Sequence, residues 1–99
     1  MGLAFQPAYH NGVTVTPSTS SQTITLGFTS ETIVFTNLGS TTVYVRVGTT
    51  QSGAPATTAD YPVVAGSQVS IGKDQDDNTV SFISPGGAGS LHIIQGIGI

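Results

Sequence analysis

The groups in this chain of 99 residues that could move a proton or hold a metal are two histidines and five carboxylates. They are His10, His92, Glu31, Asp60, Asp74, Asp76 and Asp77. A Ser–His–Asp triad could be assembled from such an inventory, but no serine sits in a Gly-x-Ser-x-Gly elbow. Asp74, Asp76 and Asn78 match the first three ligand positions of a calcium loop. The match then breaks, because Thr79 replaces the required glycine and Pro85 stands where the bidentate glutamate should be. A solvated acidic loop is the expectation there, with weak calcium binding left open. The glycines of "PGGAG" (85–89) lack the Gly-Lys-Ser/Thr continuation of a phosphate cradle and read as a turn. His10 precedes Asn11-Gly12, a hairpin-turn dipeptide. His92 alternates with Leu91 and Ile93 and should face away from the core. No catalytic, cofactor-binding or metal-ligating residue is therefore assigned, and the chain is expected not to be an enzyme.

Composition narrows the partners. Charged residues make up 7% of the chain, and 15 Thr, 11 Ser and 13 Gly take their place. A typical soluble domain carries about 25% charge. Lys73 and Arg46 are the only basic residues against a net charge of −3, so the phosphate neutralisation that nucleic acid demands is not expected. Without cysteine there is neither a disulfide framework nor a thiolate metal site. No apolar run approaches the ~18 residues of a membrane-spanning helix. The opening "MGLAFQPAYH" has no basic segment of a secretory signal, and Gln6 breaks the myristoylation pattern. So little surface charge suits a protein whose surface ends up against other subunits.

Positioning these residues falls to short strands. Alternation broken by turn residues every ten or so positions is the all-β pattern. Residues 12–16, 22–28, 32–36, 42–48, 61–66, 67–72, 79–84 and 90–95 read as eight short strands. In 22–28, Ile24, Leu26 and Phe28 should face inward. In 42–48, Val43, Val45 and Val47 share the core face, with Tyr44 and Arg46 opposite. Pro62 has no N–H for a ladder and marks an edge strand. Residues 1–99 should form a single domain, a small antiparallel β-sandwich of jelly-roll type.

The two ends are apolar where ends are normally polar. Residues 1–11 read as an N-terminal arm and 93–99 as an apolar C-terminal tail. Either they add strands over the domain's own core, or they dock on a neighbouring chain through Phe5, Tyr9, Ile97 and Ile99. Tyr44 and Arg46 complete the interface candidates, because Tyr and Arg are enriched at the energetic centres of interfaces. The competing role for Arg46 is an ion pair with Glu31 or Asp60.

The stretches "FTNLGSTTVYVRVGTT", "ATTADYPVVAGSQVSIG" and "TVSFISPGGAGSLHIIQGIG" resemble the small β-sandwich capsid decoration (cement) proteins of tailed bacteriophages. The likeness spans residues 33–98 and consists of strand and turn patterns. It implies a non-catalytic subunit on the capsid surface, assembled in the host cytoplasm. Its partners would be the major capsid protein and copies of itself, with a trimer favoured. A phage tail or head–tail component is an alternative within the same class. A carbohydrate-binding or host-adhesion module using Tyr9, Tyr44 and Tyr61 is an alternative from another.

Overall fold

A computed structural model describes residues 6–7, 12–26, 31–48, 55–72 and 78–97. Among them the chain forms β1 (Gln6–Pro7), β2 (Val13–Val15), β3 (Gln22–Thr25), β4 (Thr32–Asn37) and β5 (Val43–Gly48). Then follow β6 (Tyr61–Val63), β7 (Gln68–Gly72), β8 (Thr79–Ile83) and β9 (Leu91–Ile97). No helix occurs among the described residues. One sheet has the order β1-β9-β4-β7, with β2 also against β9, and the other has the order β3-β8-β5-β6. β1 and β2 lie in tandem along the same partner, opposite Ile97–Gly96 and Ile93–Leu91, so each sheet is four strands wide.

The pairing explains the order. Val13 faces Ile93, Gln22 faces Phe82, Thr32 faces Gly72 and Val43 faces Val63. These pairs are nested, so the chain from β2 to β9 is one long antiparallel hairpin with its tip in the β5–β6 connection. Rolling that ribbon brings β9 against β4 and β8 against β5, which closes both sheets. The result is a jelly roll, as the sequence led us to expect. Burying one face of each sheet against the other is what makes rolling favourable, since an isolated ribbon would leave its apolar side in water.

Strand period 2 decides who fills the gap. Ile33 and Phe35 of β4, Val43 and Val45 of β5, Val80 and Phe82 of β8, and Leu91 and Ile93 of β9 interdigitate with Val63. Ile24, Leu26 and Val47 pack at the rim of this cluster, as their alternation predicted. Phe28 lies outside the described residues. Pro62 sits in β6, the terminal strand of its sheet, where a missing N–H is tolerated. The Ala65-Gly66 turn carries the chain from one sheet to the other, and Gly66 takes the left-handed φ of 75° that it requires.

One polar side chain joins the layers. Asn37, fully buried at the end of β4, donates from Nδ2 to the carbonyls of Thr41 and Val63, each at 2.8 Å. Its Oδ1 accepts from the Gly39 N–H at 3.0 Å. Its backbone N–H and C=O bond to Ser67 and Gly66. Asn37 thus ties the β4–β5 turn, the edge strand β6 and the crossing turn together. No buried side-chain N or O among the described residues lacks a partner.

Of the two readings of the ends, the described residues show added strands of the same chain. Residues 93–97 belong to β9, which pairs with β4 as far as Gly96, and Ile93 is in the core. The described part of the arm, Gln6–Pro7, pairs with Ile97 and Gly96 of the same chain. The physical reason is that β9 is the inner strand of its sheet. Leu91 and Ile93 face the core while His92 stands on the outer side, and the ladder to β4 continues to Gly96.

Candidate functional site

The outer face of the β3-β8-β5-β6 sheet carries the features that could engage a partner. Period 2 sends Ser21, Thr23, Thr79, Ser81, Tyr44 and Arg46 to this side, opposite the core valines. Thr23 Oγ1 and Ser81 Oγ are 2.8 Å apart, and Thr79 Oγ1 donates to the Gly48 carbonyl at 2.9 Å. Ser81 and Thr79 are nevertheless buried, although they point away from the core.

Residues 55–60 of the β5–β6 connection lie over this face. The Ala56 N–H donates to Ser21 Oγ at 2.8 Å, and Ala56 is buried. Thr58 shares a cavity wall with Tyr44, and Asp60 meets Arg46. The segment therefore runs from β3 across to the edge strand. Asp60 fixes its last turn: its Oδ2 accepts from the Thr57 N–H at 2.8 Å, while its own N–H donates to the Thr57 carbonyl at 3.0 Å. Such local side-chain bonds stabilise a turn without help from a ladder.

The other oxygen of Asp60 accounts for Arg46. Arg46 Nη1 lies 3.8 Å from Asp60 Oδ1, and the arginine side chain is 47% exposed. A long, half-exposed pair of this kind contributes under about 1 kcal/mol. Its role is to hold the crossing segment near β5, and of the two carboxylates considered from sequence Asp60 is the partner.

Between the crossing segment and the β8–β9 turn lies an open cavity of about 340 Å³, lined by Thr41, Thr42, Tyr44, Thr58, Pro85 and Gly86. Among the described residues no charged side chain lines it. Thr41 Oγ1 is 2.8 Å from Ser84 Oγ, which fixes that wall.

The interface candidates separate in space. Tyr44 and Arg46 stand two residues apart on the outer face of one sheet, whereas Ile97 belongs to the other sheet, opposite Gln6. Phe5, Tyr9 and Ile99 lie outside the described residues, as do His10 and the acidic positions 74, 76 and 77. His92 is on the outer side of its sheet between Thr14 and Thr36, as its alternation predicted. Among the described residues no three His, Asp or Glu side chains come together as a metal site. Sequence reasoning did not find Asn37 as a cross-link, nor Thr41, Thr42, Thr58, Pro85 and Gly86 as a cavity wall. The one local signal was Asp60 three residues after Thr57, the spacing of a side-chain-capped turn.

Compared with protein-family models, with characterised proteins and with solved structures, the chain matches none.

Proposed function

We propose that this chain is a non-catalytic virion subunit of the capsid decoration type. It would bind the major capsid protein of a phage head and copies of itself, with a trimer as the assembly. The reading draws on the family resemblance of residues 33–98, and one observation carries it further: the described surface is nearly free of charge and has an apolar rim. Among the described residues the charged side chains are Glu31, Arg46 and Asp60, and two of these pair with each other. Leu38 is 61% exposed, Val64 57% and Tyr61 51%. Leu38 and Val64 each follow one partner of the Asn37–Val63 hydrogen bond, so both stand at the same end of the sandwich. A single exposed leucine is ordinary, whereas two large apolar side chains exposed at one end of the sandwich, with Tyr61 exposed on the edge strand that Val64 follows, have the composition of an interface core.

The mechanism is additive. Each copy buries a modest area against the shell, and repetition over the lattice stiffens the whole. An interface of standard size buries about 1,600 Å² in total. Changing Leu38→Asp and Val64→Asp together puts two charges into that contact. The double variant should lose shell occupancy by at least about tenfold, equivalent to ~1.4 kcal/mol. Both side chains are exposed, so its melting temperature should stay close to that of the parent. Co-sedimentation with shells assembled from the major capsid protein measures the first quantity. Undiminished co-sedimentation of the double variant would remove this rim as the contact.

A further inference from the structure

We propose that the cavity beside Tyr44 is a binding site for a neutral saccharide, an activity beyond attachment to a shell. Its volume of about 340 Å³ falls at the lower end of small-molecule sites, which span roughly 300–1,000 Å³. The wall specifies the ligand chemistry. Tyr44 and Pro85 offer apolar surface, and the described charges on this sheet face, Arg46 and Asp60, are paired with each other. Among the described lining residues an ionic ligand finds no counter-charge, and the net charge of −3 opposes anions further. Thr42, Tyr44 and Thr58 carry hydroxyls that have no hydrogen-bond partner among the described residues, while that of Thr41 is paired with Ser84. A hydroxyl can donate and accept, so two threonine hydroxyls beside a tyrosine ring and its own O–H match a ligand with one apolar face and a rim of hydroxyls. A pyranose has that form.

The structure also narrows the choice among tyrosines. Tyr61 pairs with Val45 and so points to the opposite side of its sheet, leaving Tyr44 as the described tyrosine at the cavity. Gly86 keeps the mouth open: a Cβ there would sit 3.3 Å from Thr41 Cγ2. Thr58 is exposed on the crossing segment, so Arg46 and Asp60 set the width of the site by holding that segment down.

Saturation-transfer NMR on the full chain tests this with the methyl glycosides of glucose, galactose and mannose, and with glucose 6-phosphate as the charged comparison. At least one neutral glycoside should bind with a dissociation constant on the order of 1 mM, as a small open site allows, and glucose 6-phosphate should bind more weakly. Gly86→Leu, which blocks the mouth and removes no hydroxyl, and Tyr44→Ala should each weaken binding by about tenfold or more. Tyr44→Phe, which keeps the ring, should stay within about threefold. Circular dichroism confirms that each variant is folded, and Gly86→Leu serves if Tyr44→Ala is not. No transfer to any neutral glycoside would overturn the proposal, as would binding that Gly86→Leu leaves unchanged.

Discussion

Phe82→Ala is expected to lower the melting temperature by about 12–40 °C. Phe82 is in β8, an inner strand, with Gln22 on one side and Val45 on the other, and its ring is fully buried between the sheets. Truncating a buried phenylalanine costs about 3–5 kcal/mol, part lost transfer energy and part the cavity left behind. A domain of this size shifts by roughly 4–8 °C per kcal/mol. Because total stability is typically ~5–15 kcal/mol, the variant stands near the edge of folding. Thermal denaturation followed by circular dichroism measures the shift. A drop of only a few degrees would mean that the two sheets are not packed through this side chain.

Asn37→Ala is expected to cost about 2–4 kcal/mol, although it deletes far less volume. The carbonyls of Thr41 and Val63 and the N–H of Gly39 lose their partner at once. Each unsatisfied buried group costs about 1–3 kcal/mol, partly recovered where the turn relaxes toward water. Asn37→Asp separates this account from a simple volume effect. An ionised aspartate keeps an acceptor for Gly39 but sets a negative charge against two carbonyl oxygens. Its neutral form, which can donate one O–H, is therefore favoured in the folded state, raising its folded pKa above the unfolded value. Stability of this variant is thus highest at acid pH and falls as pH rises through the folded pKa. Denaturant titrations of parent and variant at several pH values measure it. A variant as stable at neutral pH as in acid would contradict the hydrogen-bond assignment.

Much of the fold was legible because strand alternation is a local signal. Val43, Val45 and Val47 against Tyr44 and Arg46 sorted correctly, as did Leu91 and Ile93 against His92, and Pro62 marked an edge strand. Sheet membership was not legible, since it depends on nested pairing between residues as distant as Val13 and Ile93. β9 runs to Ile97, past the 90–95 expected from sequence, because Gly96 carries no side chain to continue the alternation. Asn37 has the composition of a turn residue, and only its position opposite β6 makes it a cross-link. The cavity forms where residues 55–60 cross the outer sheet face, with Ala56 bonded to Ser21 and Asp60 beside Arg46. Neither contact has a signature in strand periodicity. Tyr44 and Arg46 were correctly placed away from the core, while the covering segment gives them different tasks: Tyr44 lines a cavity and Arg46 holds its wall.

Electron microscopy of particles from its source, labelled with a gold-conjugated antibody to the chain, tests most directly the proposal that this chain is a stoichiometric part of a phage head. The account predicts label distributed over the head surface in many copies per particle. Particles that remain unlabelled while the chain stays in the soluble fraction would contradict it.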